Sequence, residues 1–135
     1  MVSPPDRLES FAAAAAHFDE GVETGVAQFG LAERADGEGV YLLLQRTLLP
    51  SDADRRLGHD TVHAEFGGQH RGGYGQIVRL RFDASSMTAE LTEEGRREFG
   101  CEAVAVALSD VAVPSETLAA QAAAVCDRYI SVESH

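Results

Sequence analysis

An α+β fold is predicted: a mainly antiparallel β-sheet meander carrying a short helix and a C-terminal helix packed on one face. Three observations predict it. Short segments of apolar–polar alternation recur along most of the chain, as TVHAEF, IVRLRF, SMTAEL and EAVAVALS. Turn-forming clusters such as ADGEG and DASS separate them at hairpin spacing. A sustained helical stripe, with Leu118, Ala122, Val125 and Tyr129, comes only near the end.

Taken in order, residues 1–10 hold Pro4 and Pro5 and little apolar material, and are expected to be flexible. Residues 11–135 then form a single domain, since 135 residues suffice for one core and no linker or repeat interrupts them. The segment SFAAAAAHFDE (10–20) reads two ways. Alanine favours a helix, whereas Phe11, Ala13 and Ala15 would line one face of a strand.

GVAQFGLAER (25–34) alternates loosely and runs into Asp36-Gly37, a hairpin signal. VYLLLQR (40–46) is nearly continuous in apolar residues, as in a central strand covered on both faces. The polar connection 49–60 has room for one helical turn in DADRRLG. In the strand TVHAEF, Val62, Ala64 and Phe66 face one way and His63 and Glu65 the other. In IVRLRF, Val78, Leu80 and Phe82 oppose Ile77, Arg79 and Arg81. After the DASS turn, Met87, Ala89 and Leu91 point inward, and Glu90 comes within reach of Arg79 or Arg81 as a cross-strand ion pair. TEEGRREFG (92–100) has acids in its first turn, arginines after them and Gly100 as a stop, which predicts a short helix. EAVAVALS (102–109) is a further strand, and Pro114-Ser115 opens a helix expected to run to about Ile130.

Composition narrows the function. Twenty-two acids against eleven bases, all arginine, give a net charge of −11 at pH 7. Such a surface repels phosphate backbones, so no nucleic-acid partner is expected. It suits a basic protein partner, or simply keeps a small bacterial protein in solution. No stretch reaches the length of a membrane span. The run FAAAAAHF follows Glu9, has no basic segment before it beyond Arg7, and is read as mature protein, so a cytoplasmic location is expected. Cys101 and Cys126 fit no metal motif and read as buried thiols, with a disulfide as the alternative.

The chemistry-bearing residues concentrate in HAEFGGQHRGGYGQI (63–77). His59, His63, Glu65 and His70 could together hold a divalent cation in a small metal-dependent enzyme, although their spacing matches no zinc signature. The glycines fit neither nucleotide-binding pattern, and a strand rather than a helix follows them. No nucleophile motif is present, and no catalytic residue or cofactor is assigned. The plain structural account is a strand, a glycine-hinged tip and a returning strand in which Tyr74 packs its ring. A homo-oligomeric structural module pairing through an exposed sheet edge is a further alternative, so monomer and homodimer both stand.

The succession VYLLLQR, SDADRRLGHD, TVHAEFGGQ, GGYGQI, a strand pair, EEGRREFG and a strand plus helix resembles immunity protein family 10, bacterial proteins that neutralise polymorphic-toxin domains. The resemblance covers residues 11 to 128, with Tyr41, Gln45, Arg46, Gly58, Glu65, Gln69, Tyr74 and Gly75 as its best-matching positions. It implies a toxin inhibitor without chemistry of its own, whose partner is a cognate toxin, a nuclease among the candidates, blocked at its active site. It also implies that SFAAAAAHF is an Ala-rich edge strand. On this resemblance Arg46, Glu65, Gln69 and Tyr74 are the expected toxin-binding residues. The structural alternative pairs Arg46 with Glu65 across the sheet and buries Tyr74 in the core.

Overall fold

A computed structural model describes residues 8–67 and 71–135. The strands are β1 (Leu8–Ala12), β2 (Ala15–Asp19), β3 (Val26–Ala32), β4 (Tyr41–Thr47), β5 (Val62–Phe66), β6 (Gly72–Tyr74), β7 (Ile77–Phe82), β8 (Ser86–Leu91), β9 (Ala103–Ala107) and β10 (Ser131–Ser134). Three helices join them: α1 (Asp52–Arg56), α2 (Glu93–Phe99) and α3 (Ser115–Cys126). The α+β class and the mainly antiparallel pairing are as the alternation predicts.

The strands form two sheets. The first has the order β1-β9-β8-β7-β10, and the second β2-β3-β4-β5-β6. The inward residues of both interdigitate in one core. Phe29 meets Phe82 edge-on at 6.4 Å between centroids, and Phe11 stacks on Phe66 at 6.3 Å. Alternation says which residues face inward but not which sheet a strand joins, so a split meander reads in sequence like a continuous one.

Two crossings make the split. At Ala13-Ala14 the chain leaves β1, and the Ala13 N–H donates to Ala107 in one sheet while the Ala14 N–H donates to Ala32 in the other. The run read as one edge strand is therefore two, each an outer strand of its own sheet, and fully buried Ala13 marks the step. A small residue is needed where the backbone passes between sheets. The frayed stretch expected over 1–10 overlaps β1 at Leu8–Ser10, and residues 1–7 lie outside those described. The second crossing follows β6. The expected hairpin returns only through Gly72–Tyr74, after which Gly75, at φ +68°, and buried Gln76 carry the chain to β7 in the opposite sheet.

Four further expectations change in detail. Strand β4 is central, but only Leu42 and Leu44 are buried, while Tyr41, Leu43 and Gln45 are half-buried on a face that no other described element covers. A register shift between Ile77 and Arg79 turns Ile77 inward and leaves Val78 46% exposed, the reverse of strict alternation. Helix α3 ends at Cys126, where Asp127 takes φ 51°, so Ile130 lies beyond it. The last residues then form β10, parallel to β7, in a segment too short and polar to announce itself. The other elements stand as expected. Ser51 caps α1 in a reciprocal capping box, and Thr92 caps α2, which stops at left-handed Gly100.

Helix α3 packs against β3 and β4 of one sheet and β7 and β10 of the other, burying Leu118, Ala122 and Val125. It has no basic residue in its last turn. Arg46 supplies one from β4, its Nε donating to the Val125 carbonyl at 2.7 Å and its Nη2 to that of Ala124 at 3.3 Å. A guanidinium there satisfies open carbonyls and meets the negative end of the helix dipole. Cys101 and Cys126 are both buried and no disulfide joins them; burial pushes the Cys126 thiol up to about 12, against a smaller lowering by Arg46.

Candidate functional site

The outer face of the second sheet brings most of the singled-out residues together. Antiparallel partners share a face, so the register alone builds its rows. One row runs His17, Gly30, Leu43, Glu65, Gly72, and the next Asp19, Gln28, Gln45, His63, Tyr74. A third begins Ala15, Ala32, Tyr41. Alternation in β5 that buries Val62, Ala64 and Phe66 necessarily turns His63 and Glu65 out here.

Glycines shape this face. A Cβ on Gly30 would meet Leu43 Cδ1 at 3.3 Å, and one on Gly72 would meet the Ala64 carbonyl oxygen at 2.8 Å. Between the two glycines Leu43 and Glu65 stand in relief. Above them opens a groove of about 560 Å³, lined among others by Ala15, Gly30, Ala32, Tyr41, Leu43 and Glu65. The Tyr41 hydroxyl donates a hydrogen bond to the Glu65 carboxylate. That bond, with burial and the carboxylate's charge behind it, raises the Tyr41 hydroxyl to about 12.

The second row ends in an aromatic cluster. His59, from the loop before β5, stacks on Tyr74 at 4.4 Å between centroids and 12° between planes. His63 meets the same ring edge-on at 5.0 Å. The two imidazoles thus flank a phenol. No three His, Cys, Asp or Glu side chains among the described residues are grouped to hold a cation; His70 of the suggested metal cluster lies outside the described residues.

Of the four expected contact residues, the structure brings Glu65 and Tyr74 onto this face. Gln69 lies outside the described residues. Arg46 has the inward parity of Leu42 and Leu44 and reaches α3. Arg46 and Glu65 do not pair with each other, since each has its own partner, and Tyr74 is half-buried rather than core. Sequence reasoning missed Tyr41 as the partner of Glu65, and Gly30 and Leu43 as its neighbours in the same row. The signal was available only through register, because Tyr41 and Glu65 are 24 residues apart.

The other sheet presents a different outer face. Arg79 bonds Glu133 at 2.9 Å and Glu90 at 3.5 Å, and Arg81 bonds Glu90 at 2.8 Å. The expected pairing of these arginines with Glu90 is present, joined by Glu133 from β10. No helix among the described residues is long and apolar enough to cross a membrane.

Compared with known proteins, residues 12–117 match the family model described as Immunity protein 10. No curated protein and no solved structure matches the chain.

Proposed function

The chain belongs to the Immunity protein 10 family, and from that premise we propose that it binds a cognate toxin domain through the outer face of the second sheet and blocks the toxin's active site. Membership implies a binding inhibitor, and the face supplies the means. The observation that supports it is the uncovered face of β2–β6, where half-buried Tyr41, Leu43, Glu65, His63 and Tyr74 lie side by side. Half-buried aromatic and aliphatic groups that no described element covers are what a protein interface is made from.

Glu65 and Tyr74 are the contact residues of this proposal, with Gln69 retained on sequence grounds. Arg46 acts from behind the face by holding α3 to β4. The net charge of −11 extends the proposal to a nuclease target, because a nuclease needs a basic cleft for phosphates and an acidic inhibitor complements it.

The test uses the tagged full chain, recovered from its native cells with whatever remains bound after a salt wash. The captured protein's C-terminal domain is then expressed alone and together with this chain. Killing by the domain alone, and growth restored by co-expression, is the expected result. A chain that recovers only itself, or a domain that kills equally in its presence, contradicts the proposal. If the target is a nuclease with a basic cleft, the affinity of the complex falls steeply between low and physiological salt; an affinity indifferent to salt removes that part.

A further inference from the structure

Three ionisable side chains line the groove over β2–β4 among the described residues: His17, Arg34 and Glu65. Two are already engaged. The Arg34 guanidinium holds Asp36 at 2.8 Å, and His17 shares a hydrogen bond with Gln28 at 3.1 Å. Glu65 has the Tyr41 hydroxyl alone, a neutral donor, and forms no ion pair among the described residues. Among the described residues the carboxylate thus has a neutral partner and no cation, and Tyr41 fixes one of its two oxygens in place while the other has no described partner.

Resting on the immunity reading above, we infer that this groove is the receptor for a cationic side chain, arginine by preference, presented by the partner protein. Three features fit that occupant. The carboxylate accepts the guanidinium. Leu43 and the alanine and glycine floor of β2 and β3 offer an apolar bed for the three-carbon stem. The chain's net charge of −11 draws a basic partner toward it and repels an acidic one. Arginine is preferred to lysine because its planar fork can engage the remaining oxygen while the stem lies flat.

The experiment titrates the isotope-labelled full chain with a blocked Ala-Arg-Ala peptide, its lysine counterpart and its neutral citrulline counterpart, following backbone amide resonances. The arginine peptide is expected to give saturable millimolar shifts centred on Gly30, Leu43, Glu65 and Gly72, the lysine peptide weaker ones, and the citrulline peptide none. Glu65→Gln keeps an acceptor for Tyr41 but removes the charge, and should abolish the shifts. Gly30→Val fills the floor and leaves the charge, and should weaken them. Equal response to the citrulline peptide, shifts that persist in Glu65→Gln, or no saturable shift at all would overturn the assignment. The captured toxin domain separates this inference from the reading it rests on. If the domain binds wild type and Glu65→Gln alike, the arginine receptor is wrong while the immunity role stands; at least about a tenfold loss is expected. If wild type captures no toxin, the immunity role fails and the peptide titration decides the groove by itself.

Discussion

The two sheets share one core but present opposite kinds of outer face. On the first, Arg79, Arg81, Glu90 and Glu133 form ion pairs with one another across β7, β8 and β10. On the second, Glu65 is held by a neutral hydroxyl, Leu43 lies between Gly30 and Glu65, and Tyr74 has His59 stacked on its ring and His63 edge-on to it. A face whose charges are matched internally has little to gain from a partner. A face whose carboxylate forms no ion pair among the described residues, beside half-buried apolar groups, gains both charge compensation and burial. The contrast is what supports the proposed binding side, without any reference to the partner's identity.

The largest expected effect is on the second sheet. Glu65→Lys should weaken the toxin complex by about 2–4 kcal/mol, read by calorimetric titration, while leaving the far-ultraviolet circular dichroism unchanged. Next is Arg46→Met, which removes the donors that close α3. Hydrogen bonds from a charged group contribute about 1.5–3 kcal/mol, so the urea midpoint should fall, whereas toxin affinity measured well below that midpoint should hold. An affinity loss as large as that of Glu65→Lys would place Arg46 in the interface. Third, Arg79→Gln combined with Arg81→Gln should cost about 1 kcal/mol of stability, because the ion pairs they form are half-exposed and partly screened, and should leave toxin binding intact. Reduced binding by that pair would erase the contrast between the faces.

The smallest effect is a titration. Tyr41 is raised from 10.0 to about 12 by its bond to Glu65. A folded-state value above the unfolded one means that the stability it confers is complete below pH 10 and is lost as pH rises from 10 toward 12. Absorbance at alkaline pH should therefore show a tyrosine that ionises near 12, moving back toward 10 in Glu65→Gln. No movement would show that Glu65 is not what holds the proton.

Much of the strand content was legible, because alternation is dictated by the burial of one face. Phe82, Met87, Ala89, Val104 and Val106 are all buried where period two puts them. Legibility ended wherever the backbone broke its own period. The shift at Ile77–Arg79 inverts one pair of side chains, and the steps at Ala13-Ala14 and Gly75-Gln76 divide one expected sheet into two. The end of α3 was overrun because nothing in CDRYI forbids a helix; Asp127 takes its positive φ without a glycine or proline to signal it. For the site, Glu65 and Tyr74 could be singled out from their own strands. Their partners Tyr41, Leu43 and His59 come from elsewhere in the chain, and only register sets them beside one another.

The most direct measurement is side-chain footprinting of the full chain, free and in complex with its toxin domain, by hydroxyl radicals and mass spectrometry. Protection is expected at Tyr41, Leu43, His63 and Tyr74, with the side chains of β7, β8 and β10 equally reactive in both states. Protection confined to Val78, Arg81 and their neighbours on the first sheet, with Tyr41 and Tyr74 unchanged, would contradict the assignment of the binding face.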